Sequence, residues 1–136
     1  MFPIILLALA QVAKAEGPSP EVKAELETCI EQAGVIDLAI KDCYVALANS
    51  EDERLNANWK QLMKAVAGKD SELGAPLLKE QRAWIAYKEA ACAHFLHAGG
   101  TLDRLLGQIC FAELITRRAD ELAELAQFYQ ETYSPD

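Results

Sequence analysis

A chain of 136 residues fits one domain, and with 51% of them hydrophobic it can bury a real core. Its formal net charge of -8 argues against a nucleic-acid partner, because phosphate binding needs a basic patch, and against an anionic membrane surface. A cationic partner would be favoured, chiefly through faster association.

In chain order, the first fifteen residues differ from the rest. Phe2 to Ala10 form the apolar run FPIILLALA, followed by Ala13-Lys14-Ala15, a small-x-small cleavage pattern, and then by polar EGPSP. This is the outline of a secretory signal peptide at 1–15 cleaved after Ala15, although no Lys or Arg precedes the run. The competing reading is a buried N-terminal helix. A membrane span is disfavoured because it needs about 20 apolar residues. No Cys lies near the cleavage pattern, so a lipid anchor is not indicated. The mature domain, residues 16–136, is therefore expected to be periplasmic or secreted. Removing Lys14 from the 13 basic residues leaves 12 against 21 acidic ones, a net of -9.

Beyond the leader, Gly and Pro cluster at 17–20, 34, 68–76, 99–100 and 107, with one more near the end. The segments between them have helical periodicity and little β-branched content. The first helix is expected over Pro20–Ala33, with Ser19 as N-cap, Pro20 at the first helical position and Gly34 as the stop. The second starts near Asp37 and reaches about Ala67. Its stripe is Ile40, Cys43, Tyr44, Leu47, Leu55, Trp59, Leu62 and Val66, interrupted at ANSEDER by a kink, a break or a solvated turn. The third is expected over Pro76–Ala98, with Leu77, Gln81, Trp84/Ile85, Lys88, Ala91/Cys92 and Phe95 along one side. The fourth is expected over Leu102–Tyr129, with Leu102, Leu105/Leu106, Ile109, Ala112, Ile115, Ala119, Leu122, Leu125/Ala126 and Tyr129. Gly107 within it allows close approach of a neighbour at a helix-propensity cost of about 1 kcal/mol. The fold class is all-α: an antiparallel bundle of about four helices.

Four cysteines with an export signal point to two disulfides. Cys29 and Cys43 are nearly equidistant from the Gly34 turn, and Cys92 and Cys110 from the Gly99-Gly100-Thr101 turn. Antiparallel helices joined by short turns bring equidistant residues side by side, within the roughly 4.4–6.8 Å Cα separation a bridge needs. The pairing expected is Cys29–Cys43 and Cys92–Cys110, each clamping one helical hairpin.

The residue types for catalysis do not assemble. Cys92, His94 and His97 fall within six residues with Cys110 across the hairpin, a zinc-like set. On a helix, however, His94 points about 200° from Cys92, and export favours the disulfide, so no metal and no cofactor are expected. There is no G-x-S-x-G elbow and no Gly-rich phosphate loop. The serines (Ser19, Ser50, Ser71, Ser134) sit in polar or terminal stretches. Glu51-Asp52-Glu53 lacks calcium-loop spacing and reads as a solvated face. Trp84 and Tyr87, at i, i+3, read as core aromatics with Trp59 as a neighbour and Asn56 or Gln81 as indole partners. Arg82 is expected to find a carboxylate in Asp52 or Glu89. No enzymatic activity is expected.

DERLNANWKQL (Asp52 to Leu62) resembles the D-x-x-L-N-x-x-Y-x-x-L segment of the LprI-like family of bacterial lysozyme inhibitors, matching at Asp52, Leu55 and Asn56, with Trp59 at its aromatic position. LKEQRAWIAYKEAAC (Leu78 to Cys92) resembles the family's second signature, in which Leu-Lys leads into Q-R-x-W-I, followed by an aromatic, a basic and an acidic residue and then Cys, here with Gln81, Arg82, Trp84, Ile85 and Tyr87. Trp59 stands where the family has Tyr, and Lys88 where it has Arg, which forfeits a bidentate fork. The resemblance covers about Cys29 to Leu125. It implies export, a helical disulfide-bonded domain and inhibition of lysozyme, and the matched residues read mainly as structural. One functional reading is a small exported protein that blocks a basic lysozyme or related peptidoglycan hydrolase sterically and electrostatically. NSEDER, the Gly68–Ala75 loop or the Gly99-Gly100 turn would be the presented element. The alternative is an adaptor or immunity-type protein with another envelope partner and no lysozyme inhibition.

Overall fold

The computed structural model describes residues 17–133; the leader expected at 1–15 lies outside the described residues. Four α-helices account for nearly all of it: α1 Pro20–Ala33, α2 Asp37–Ala65, α3 Gly74–Ala91 and α4 Thr101–Tyr133, with a short 3-10 turn at Ala93–Leu96. No strand occurs among the described residues.

Helix α1 starts and stops where its sequence says it should. The Ser19 hydroxyl accepts from the Val22 amide at 3.2 Å, Pro20 needs no amide partner, and Glu21 faces the positive end of the helix dipole. Gly34 ends it at φ 65° with its N–H on the Ile30 carbonyl. Helix α1 contains no buried residue. Its attachment to the body includes the Cys29–Cys43 bridge, a few half-buried side chains, and the preceding Gly17, whose amide donates to Asp120 at 3.1 Å.

Helix α2 runs unbroken through ANSEDER. The expected interruption is absent because the inward stripe continues there: Ala48, Glu51, Leu55 and Leu62 recur at helical spacing and all are buried. Glu51 is thus a charged member of the stripe, not part of a solvated face. The helix ends at Ala65 with Val66 as its C-cap, beyond which Ala67 (φ 65°) and Gly68 (φ 97°) reverse the chain. Ser71 donates to the Gly68 carbonyl at 2.8 Å and accepts from the Gly74 amide at 2.9 Å. The crossing is so close that a Cβ at Gly74 would lie 1.8 Å from the Gly68 oxygen. Only glycine fits there.

Helix α3 begins two residues before the expected Pro76 and ends earlier than expected, at Ala91. The chain then tightens into the 3-10 turn, which lays Phe95 and Leu96 on α4 beside Gly107. A Cβ at Gly107 would meet Leu96 at 3.2 Å, so this glycine does admit a neighbour. Asp103 stops fraying at the connection by accepting from the Ala98 and Gly99 amides at 2.8 and 3.1 Å.

Three short connections make sequential neighbours antiparallel, so α2 and α4 run parallel. Their register is legible in three contacts: Asp37 accepts from the Thr101 hydroxyl at 3.0 Å, Arg54 reaches Asp120, and Asn58 donates to the Ala119 carbonyl at 2.8 Å. This pair is the spine. Ala48, Ala112, Ala119 and Ala126 let the backbones approach, and Leu55, Leu62, Val66, Leu77, Ile115 and Leu122 fill the rest of the core. Both hairpin turns, at 34–36 and 97–100, therefore lie at one end of the bundle.

The disulfides are the expected ones, Cys29–Cys43 and Cys92–Cys110, with Cα separations of 5.7 and 5.9 Å, and no described cysteine is free. Two such bridges fit an oxidising, extracytoplasmic location. No described helix is long and apolar enough to cross a membrane.

Candidate functional site

Polar side chains inside the bundle form two networks, and both brace helices. In the first, Glu51 is 1% exposed on its side chain. Arg54 grips it from one turn on, with Nε donating at 2.9 Å and Nη2 closing the fork. Arg54 also donates to Asp120 at 2.7 Å and to the Thr116 carbonyl at 3.3 Å. Burial works against the Arg54 charge, but its hydrogen bonds to Glu51 and Asp120 and their negative charge outweigh that and raise its pKa. One arginine thus locks α2 to α4 and, through Asp120, to the Gly17 amide.

The second network holds α3. Arg118 of α4 is 4% exposed. It donates to Gln81 at 2.8 Å and contacts Glu80 and Glu121, each at 2.9 Å. Its guanidinium lies 6.0 Å from the centroid of the Trp84 ring, and Lys88 sits 5.4 Å from the same ring and 5.1 Å from Phe111.

These contacts place the motif residues. Leu55 and Gln81 are buried, and Trp59 and Trp84 are half-buried against the core. Gln81 serves Arg118 instead of an indole, and Asn56 donates to Asp52 at 3.4 Å on the exposed side of α2. Arg82 is a correction to the sequence-based expectation. It is exposed and forms no ion pair among the described residues, because Gln81 takes the inward position and the next residue is turned about 100° away. Tyr87 (58% exposed) and Ile85 likewise face outward and are not core. The arginines that matter, Arg54 and Arg118, were not singled out from the sequence. Arg54 carried a usable signal, an Arg three residues after a Glu at a stripe position; for Arg118 only its place on the inward side of α4 could have pointed to it.

His94 and His97 lie on the exposed surface around the 3-10 turn, while Cys92 and Cys110 are tied to each other. No group of three or more His, Cys, Asp or Glu residues that could hold a metal occurs among the described residues.

The distinctive surface lies at the end of the bundle where the two turns meet. Val35 is 94% exposed and Ile36 63%, with Leu38 partly exposed behind them. From the other hairpin come Leu96, Leu102 and Leu106, the first two more than half exposed. Leu102 and Leu106 were expected in the core stripe of the fourth helix; they point outward because Leu105 takes the inward position. The Asp37–Thr101 hydrogen bond joins the turns. A groove beside them is lined by Lys41, Leu96, Arg104, Gly107 and Phe111.

Residues 18–122 match the family described as lysozyme inhibitor LprI. The chain is also 31% identical over 135 residues to an uncharacterized protein of Rhizobium meliloti (strain 1021), a likeness that covers 90% of this chain and 91% of the relative. No solved structure matches.

Proposed function

The chain belongs to the LprI family of lysozyme inhibitors, and from that premise we propose that it is an exported binding protein that blocks a cationic lysozyme or related peptidoglycan hydrolase. The family match over residues 18–122 carries this reading. Charge supports it: a chain at -8 is steered toward a basic enzyme at low ionic strength. The interior supports it as well. The buried Glu51, Gln81 and Arg118 all take part in contacts that brace the helices, which points to the outer surface for recognition. Inhibition is then steric occupation of the saccharide cleft, with the inhibitor chemically unchanged. Export by cleavage after Ala15 belongs to the same proposal.

The test is turbidity clearing of cell walls by lysozymes of several structural classes, with the purified mature protein added at equal and tenfold molar ratio. At least one class should be inhibited stoichiometrically, and the inhibition should weaken as salt is raised. Undiminished clearing by every class at tenfold excess would refute it.

A further inference from the structure

We propose that the apolar end formed by the two hairpin turns, residues 34–38 and 96–106, is the element that enters the hydrolase cleft. This rests on the inhibitor reading and deepens it by naming the face.

Four observations lead to it. First, this end exposes six large apolar side chains: Val35, Ile36, Leu38, Leu96, Leu102 and Leu106. A monomeric soluble protein rarely leaves a contiguous apolar patch larger than a few hundred Å² unless something docks there. Second, the turns are held in place. Cys29–Cys43 clamps one hairpin and Cys92–Cys110 the other, Asp37–Thr101 joins them, and Asp103 fixes the Ala98 and Gly99 amides. A projection ordered before binding loses little entropy on docking. Third, its surroundings are negative. Across residues 31–42 and 88–106 there are five carboxylates (Glu31, Asp37, Asp42, Glu89, Asp103) against three permanent cations, Lys41, Lys88 and Arg104. An end that is net negative, on a chain at -8, suits docking to a cationic enzyme. Fourth, the other presented elements have structural work. Within NSEDER, Glu51 and Arg54 are committed to the network with Asp120, and the 68–74 loop is bound to itself through Ser71.

The experiment uses a hydrolase that the native protein inhibits, and compares Val35→Asp and Leu102→Asp with Phe128→Ser, a control 54% exposed on the far half of α4. The two tip variants should raise the half-inhibitory concentration about 10- to 100-fold, with far-ultraviolet circular dichroism and Tm as in the native protein. Phe128→Ser should inhibit normally. A soluble N-acetylglucosamine oligomer that fills the cleft should compete with the native protein. Native inhibition with undiminished inhibition by both tip variants would overturn the assignment of the face while leaving the inhibitor reading intact. Failure of the native protein on every hydrolase would overturn both. Sedimentation supplies the remaining outcome: a native dimer abolished by Val35→Asp would assign this end to a second copy of the chain and overturn the cleft assignment.

Discussion

Replacing Arg54 by leucine is expected to cost about 3–5 kcal/mol of stability, the range found when one partner of a buried ion pair is removed. The cost arises from what is left behind. Glu51 is 1% exposed, and Arg54 supplies its ion pair. Without the guanidinium its charge stays buried with nothing opposite, while Asp120 loses the link that ties α4 to α2. Urea denaturation should show a lower midpoint at unchanged slope. The double variant E51L/R54L should recover a large part of the loss, because no charge then remains in the interior and two apolar side chains take its place. A double variant less stable than R54L would show that the ion pair supplies net stability that apolar packing does not replace.

The second large effect is local. Converting Cys29 and Cys43 to serine removes a bridge spanning 14 residues, worth roughly 3 kcal/mol on the loop-entropy account. Helix α1 has no buried residue of its own, so little apolar burial compensates. The expected result is selective opening: amides of Glu21–Ala33 exchange about 100-fold faster, while those of α2 and α4 around Leu62 and Leu122, both fully buried, stay protected. Uniform loss of protection across all helices would mean that α1 belongs to the same cooperative unit as the core. Val35 and Ile36 sit on the hairpin this bridge clamps, so inhibition should weaken along with it.

The helices and bridges were legible because they follow from local rules. Ser19-Pro20 and Gly34 bound α1 to the residue, and equal spacing about two glycine turns fixed which cysteines meet. Two things were hidden for one reason, that a sequence displays residue types while burial depends on phase. Glu51 sits among three acidic residues and looks solvated, yet α2 carries it inward in register with Ala48 and Leu55. Arg82 stands in the most recognisable motif, yet it faces water because Gln81 holds the inward position. That α2 and α4 run parallel follows from the short connections, but their direct packing on one another was beyond reading, since it depends on alanines that are unremarkable in sequence. That packing places both turns at one end. The candidate site follows from it: Val35, Ile36 and Leu102 are ordinary apolar residues until two turns far apart in the chain are set side by side. The Trp84 signature, by contrast, is the part of α3 that Arg118 and the core hold in place, and it specifies the fold.

On the proposed reading, a braced helical body presents its apolar end to a cationic peptidoglycan hydrolase. Hydrogen exchange of the protein alone and saturated with an inhibited hydrolase tests this most directly. Added protection is expected only at residues 34–38 and 96–106, with the amides of α3 around Gln81 and Trp84 unchanged. Protection centred on α3 or on the 68–74 loop, with both turns exchanging as in the free protein, would contradict it.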